Sequence, residues 1–274
     1  MHDFHSAPPV VVGIDGSVDA SSAALWAADE AASRDVPLKL VHVIHHAELP
    51  GSGPQDIHAD TDQLAAARTA LADARRAVEE TAPRVTVETE VIWGNPLATL
   101  IGLSQSATMV CAGSIGIEHA CHHAGSTAAA LAGSARCPVA VIHRPPVTSH
   151  AGTGYIVAEV DGLAHNWPDD NDVLEWAMAE ARLRRASLRV ITAGDQGRES
   201  GMPAQVRHRI DSWALRYPEV VVESAVVPGS LAQYLVDSAD SIQLFVSGVR
   251  DRRSFNQPDG TSGCSVLTVG HGNR

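Results

Sequence analysis

Val110-Cys111-Ala112-Gly113-Ser114-Ile115-Gly116, running on to Gly125-Ser126-Thr127, is the stretch around which the chain is organised. A short apolar run ends in a glycine, a second glycine follows three residues later, and Gly-Ser-Thr then opens an Ala-rich segment. Glycines let a backbone approach a ligand with no Cβ in the way. Hydroxyls, and the N–H groups that a helix start leaves without intrahelical partners, suit a phosphate. The stretch reads as a strand, a phosphate-binding turn and a helix start.

The rest of the first half supplies companions for that strand. Pro9 to Ile14 is a continuous apolar run, as expected of a strand buried on both faces. Asp15-Gly16-Ser17 ends it, with Ser17 or Asp19 as cap for an Ala-rich helix from about 19 to 34. Val36-Pro37 breaks the helix, and Leu38 to Ile44 is a second strand. Residues 45–60 read as a surface loop, 61–81 as an amphipathic helix, and Val85 to Ile92 as a third strand. Gly94-Asn95-Pro96 is a turn that starts a helix, and Cys137 to His143 is a fifth strand. Strands alternating with helices imply a mostly parallel sheet covered on both faces. Ligands of such sheets bind beyond the carboxyl ends of the strands, where Asp15 and Gly113 both fall.

Composition sets limits. The 274 residues suggest about two domains, and 45% hydrophobic with 19% charged residues suits a packed core. A net charge of −12 argues against nucleic acid as a partner. The only lysine is Lys39, which excludes a Walker-type loop, since that motif needs a lysine after its last glycine. No apolar run approaches the ~20 residues that span a bilayer, and Met1 to His5 lacks a charged-then-apolar layout. A cytoplasmic protein with no membrane partner is expected. Cys111, Cys121, Cys137 and Cys264 show no C-x-x-C spacing and read as buried or loop thiols.

After a Pro/Gly/Ser/Thr-rich linker at about 144–155, the chain repeats itself. Ile156 to Gly162 echoes Val10 to Gly16, while Trp176 and Glu180 fall on Trp26 and Glu30 at an offset of 150. Pro218 to Glu223 echoes Pro83 to Glu88 at an offset of 135, which also sets Gly229 on Gly94 and Gly248 on Gly113. Cys264 to Val269 echoes Cys137 to Ile142 at an offset of 127, so the second copy lacks eight residues between Gly248 and Cys264. Those residues match the phosphate loop and its helix.

Val-Val-Val-Gly-Ile-Asp-Gly-Ser near the start, Leu-Val-His-Val in the second strand, Gly-x-x-G with a later Gly-Ser, and Cys-Pro-Val-Ala-Val-Ile resemble the universal stress protein family, particularly its tandem-domain members common in actinobacteria. The resemblance is strong for 8–144 and looser for 153–271. It implies an α/β fold of two tandem Rossmann-like domains of the adenine nucleotide alpha hydrolase type, residues 1–146 and 147–274. Each is a five-stranded parallel sheet in the order 3-2-1-4-5 with helices on both faces, and the second is truncated before its last strand. It further implies ATP as ligand with Mg2+. Asp15 would lie by the ribose and phosphates and help the Mg2+. The Val43 backbone would read the adenine edge. Gly13, Gly113, Gly116, Gly125, Ser126 and Thr127 would complete the nucleotide site. Eight residues separate Gly116 from Gly125 here, one fewer than in the family pattern.

The second copy departs from that site. Glu159 replaces Gly13 and Asp251 replaces Gly116, and a carboxylate among phosphates is repulsive. One nucleotide site, in the first domain, is expected. The functional reading is an ATP-binding regulatory protein; the alternatives are a scaffold with a vestigial site and a slow ATPase. The resemblance also implies pairing through the last strand, which makes Val139 to Ile142 and Val266 to Val269 candidate edges for a homodimer or an internal pseudo-dimer. His119, His122 and His123 read as a solvated loop rather than a metal site, His42 as a satisfied core residue, and Trp26, Trp93 and Trp176 as core packing. Gly113→Val is expected to abolish binding without unfolding the protein.

Overall fold

A computed structural model describes residues 7–45, 56–114, 126–143, 154–160, 169–194, 202–248 and 264–270. They form two compact units, the first ending at His143 and the second holding the described residues from Gly154 onward. In the first unit the elements follow in the order β1 (Val10–Gly13), α1 (Val18–Arg34), β2 (Leu38–Ile44), α2 (Asp56–Thr81), β3 (Val87–Trp93), α3 (Pro96–Leu103), β4 (Met109–Gly113), α4 (Ser126–Ala132) and β5 (Val139–Ile142). The strands are parallel and lie in the order β3-β2-β1-β4-β5. The order in which strands are added reverses between β1 and β4, which leaves a crevice at their carboxyl ends.

The apolar runs form strands because both faces are covered. Successive residues point to opposite sides. Val11, Val41, Val110 and Val139 pack with Leu100 of α3 and Leu131 of α4. The alternate residues Val10, Val12, Leu38 and Leu40 are equally buried and belong to the face that carries α1 and α2. α1 buries Ala20, Ala23, Ala24, Ala27, Ala28 and Ala31, a stripe at helical spacing whose small side chains let the helix lie close on the sheet. Ser17 caps it, its hydroxyl accepting from the Ala20 N–H at 3.1 Å. Asp35 stops it in the left-handed conformation at φ 54°, and Pro37 follows.

α2 begins at Asp56, within the stretch read from sequence as loop. After Pro54 the sequence holds no further breaker, and Asp56 and Asp60 place acid at the positive end of the helix dipole. Trp93 is a second departure. It closes the edge strand β3 and is 42% exposed, so it is not core; Trp26 and Trp176 are half-buried.

The second unit runs β6 (Tyr155–Glu159), α5 (Asp169–Arg184), β7 (Leu188–Gly194), α6 (Ala204–Ala214), β8 (Val222–Pro228), α7 (Leu231–Asp237), β9 (Ile242–Gly248) and β10 (Ser265–Val269). Its parallel strands lie in the order β8-β7-β6-β9-β10. Registers correspond: Gly13 pairs Val41 as Glu159 pairs Ile191, and Val12 pairs Cys111 as Ala158 pairs Val246. Even a buried ion pair is duplicated. Glu30 and Glu180 have fully buried side chains and bind Arg34 and Arg184, four residues on. Arg185, at φ 51°, stops α5 as Asp35 stops α1. Removing one partner of a buried pair leaves the other charge to be desolvated with fewer compensating bonds. Arg34→Ala is therefore expected to destabilise the first unit by about 3 kcal/mol, measured as a lower urea midpoint.

Candidate functional site

The crevice is built by four chain ends. Beyond β1 the chain turns through Asp15 and Gly16, the latter at φ 89°. Asp15 is exposed, and its Oδ1 accepts from the Ser17 N–H at 2.9 Å. Beside it β2 continues past the end of β1. The Ile14 N–H donates to the Val41 carbonyl at 2.8 Å. Backbone groups two residues apart on a strand face the same way. The N–H and C=O of Val43 therefore face the side on which β1 has stopped, while its side chain packs on the α3 face of the core. A donor and an acceptor at the rim of the crevice can recognise the edge of a heterocycle.

Gly113 ends β4 against the first turn of α1. A Cβ there would lie 2.7 Å from the Ala20 nitrogen and 2.7 Å from the Asp19 carbonyl carbon. Those are backbone atoms, so the helix itself forbids a side chain. A Cβ on Gly13 would meet Leu100 at 3.3 Å. Gly113 is thus explained by close approach of protein to protein, where the sequence reading invoked the ligand, while a side chain at Gly13 would need only that Leu100 give by a few tenths of an ångström. The expectation that Gly113→Val leaves the fold intact is corrected accordingly.

Next to Gly113, Ser114 joins a chain that sequence reasoning missed. Its hydroxyl donates to Asp19 Oδ2 at 2.7 Å and lies 2.8 Å from His143 Nδ1. A carboxylate only accepts, and a hydroxyl has one proton to give. That proton goes to Asp19, so Nδ1 of His143 is the donor to Ser114. The polarity His143 to Ser114 to Asp19 leaves Ser114 without His143 as a general base. The available signal was positional: Ser114 and His143 directly follow the ends of two adjacent strands.

His42 was expected to be a satisfied core residue and is not. Its Nδ1 is buried without a hydrogen-bond partner among the described residues. Burial pushes the imidazole below its ordinary pKa, opposed by the nearby Asp15 carboxylate and a hydrogen bond with the Ile14 backbone. Thr127 is half-buried in α4, which starts at Ser126. Gly116, Gly125, Cys121, His119, His122, His123 and Asp251 lie outside the described residues. The structure thus brings Asp15, Val43 and Gly113 to one end of the sheet, with Gly13 just beneath. Of the thiols, Cys111, Cys137 and Cys264 are buried and form no disulfide among the described residues, and burial pushes Cys137 up to about 12. Among the described residues, no three His, Cys, Asp or Glu side chains cluster as a metal cage, and no helix is long and apolar enough to cross a membrane.

A universal stress protein of Mycobacterium tuberculosis is 43% identical to this chain over 98% of both sequences. The chain belongs to the universal stress protein family. The profile of the Universal stress protein family matches residues 8–143, the first unit. A second universal stress protein of M. tuberculosis is 41% identical over 98% of this chain and 99% of its own. Among solved structures, a universal stress protein from Archaeoglobus fulgidus superposes with a TM-score of 0.71 over 98% of both chains at 13% identity, a likeness of fold.

Two measurements check this geometry. Gly113→Ala is expected to cost about 2 kcal/mol through overpacking, read from denaturant unfolding; an unchanged midpoint would contradict the contact with α1. For His42 the folded pKa is lowered, so the unfolded chain binds more protons as pH falls below about 6.5. Its contribution is therefore a loss of stability on acidification from neutral pH through that value. His42→Gln is expected to flatten the thermal-melting profile between pH 7 and 5.

Proposed function

We propose that the first unit binds one adenine nucleotide, ATP with Mg2+, and that the protein acts as a regulator whose surface or assembly responds to nucleotide. The observation that carries this reading is the meeting of Asp15, the Val43 backbone edge and Gly113 at the β1/β4 crevice, with α4 beginning at Ser126 and Thr127. Val43 would hold the adenine edge. The Asp15 carboxylate suits the ribose hydroxyls, which donate to it. Gly116, Gly125, Ser126 and the Thr127 N–H would hold the phosphates, at the side of the crevice to which β4 leads.

The donor set suits Mg2+ only as part of a nucleotide complex. That ion keeps several waters and takes one or two carboxylates plus phosphate oxygens. Asp15 is the exposed carboxylate here, and Asp19 is engaged by Ser114. The second unit carries Glu159 in the register position of Gly13, and the stretch from Gly248 to Cys264 is eight residues shorter than that from Gly113 to Cys137. These features support a single site per chain.

One observation favours a second reading. Gly113 is required by packing whether or not nucleotide binds, so it would persist in a scaffold with a vestigial site. Calorimetric titration with Mg–ATP separates the two. One site per chain, weakened at least about tenfold in Asp15→Ala, supports the nucleotide reading. No heat, and no adenine nucleotide released from the denatured protein by mass spectrometry, would leave the scaffold. Two sites per chain would overturn the asymmetry.

A further inference from the structure

The outer edge of the first unit holds a cleft of about 480 Å³ between α2 and β3. Thr89, Val91 and Trp93 form its floor, alternate residues that share one face of the edge strand. Its wall is one stripe of α2, Leu64, Arg68, Leu71 and Arg75, at steps of four, three and four residues. Two guanidinium groups and an indole thus share a cavity within the size range of small-molecule sites. Among the described residues no carboxylate lines it, although the chain as a whole carries a net charge of −12. Arg75 donates to Glu79 at 2.6 Å, whereas Arg68 has no ion-pair partner among the described residues.

We propose that this cleft binds a planar aromatic acid, its ring against Trp93 and its oxyanion on Arg68 and Arg75. A guanidinium fork matches two oxygens of a carboxylate, sulfonate or phosphate and forms charge-assisted bonds. The indole offers an apolar surface with 42% exposure and a π-face for stacking. Leu64 and Leu71 line the apolar part of the wall and exclude water from the ring. A neutral aromatic would make no use of Arg68, and a simple anion would make no use of the exposed part of the indole. The site is separate from the β1/β4 crevice and does not depend on nucleotide binding there. Arginine stems that merely cover apolar surface are the competing explanation, and the glutamate beside Arg75 distinguishes the two. If Arg75 is a ligand group, Glu79 competes for it.

The test uses the full chain and naphthalene-2-sulfonate, with 2-naphthalenemethanol as the neutral control. Binding is followed by tryptophan emission and confirmed by equilibrium dialysis. The sulfonate is expected to bind and the alcohol at least about tenfold more weakly. Arg68→Ala with Arg75→Ala should weaken the sulfonate by about tenfold or more, and both side chains are exposed, so the variant keeps its fold. Glu79→Gln should tighten binding, and Trp93→Leu should weaken it. Equal binding of the alcohol, unchanged binding by the double arginine variant, or weaker binding by Glu79→Gln overturns the proposal. Saturating Mg–ATP is expected to leave the probe in place; displacement would show that both occupy one site and would overturn a separate cleft.

Discussion

The contact on which the first unit depends is the approach of the last residue of β4 to the first turn of α1. At Gly113 the helix backbone occupies the space of a side chain, so the strand and the helix start are locked edge to end. Three consequences follow from this single steric constraint. α1 is held close enough for its alanines to seal one face of the sheet. Its capped N-terminus is fixed at the crevice rather than beside it. Ser114, the next residue, is placed within hydrogen-bond reach of Asp19 on α1 and of His143 beyond β5. The crevice is rigid at its β4 side because sterics and a polarised chain of hydrogen bonds act on adjacent residues.

The two units show which parts of the architecture the fold itself demands. Strand order, registers, the buried Glu30 and Glu180 pairs and the left-handed helix stops occur in both. These belong to making a covered parallel sheet from short apolar strands and small-residue helices. The differences gather at the carboxyl ends of the strands. Glu159 takes the register position of Gly13, and Thr192 and Ala193 stand near the end of β7 where His42 and Val43 stand near the end of β2. A duplicated scaffold with one altered rim is what separate constraints on core and rim would produce, since core packing tolerates little change in volume while rim residues answer to whatever binds.

Much of the fold was legible because the strands of a doubly covered sheet are plain apolar runs, and because Ser17, Asn95 and Pro96 punctuate helix starts in ways that local chemistry explains. The Glu30–Glu180 correspondence was visible as an offset, but the ion pairs needed the helices to turn Arg34 and Arg184 onto the same face. Sequence reading failed where a residue's meaning depends on what lies across from it. Gly113 looked like a ligand-facing glycine because nothing local reveals a helix end against it. His42 looked satisfied because burial can be guessed from a strand, whereas the missing partner of Nδ1 cannot. Trp93 looked like core because edge position is set by strand order and not by the residues of the strand. Asp15 and Gly113 were placed at the crevice by their position at strand ends, which the observed topology shares, whereas Val43 was named only through the family resemblance.

The buried thiols bear on which chemical signals the protein can register. An oxidant or electrophile reacts with thiolate, and a thiol held at about 12 ionises to only about one part in 100,000 at neutral pH. Cys137 sits at the entry to β5, under the sheet face that carries α3 and α4, so peroxide must either wait for that helical layer to open or pass it by. For Cys137, oxidation would report unfolding that has already happened and would not give early warning of a changing redox state.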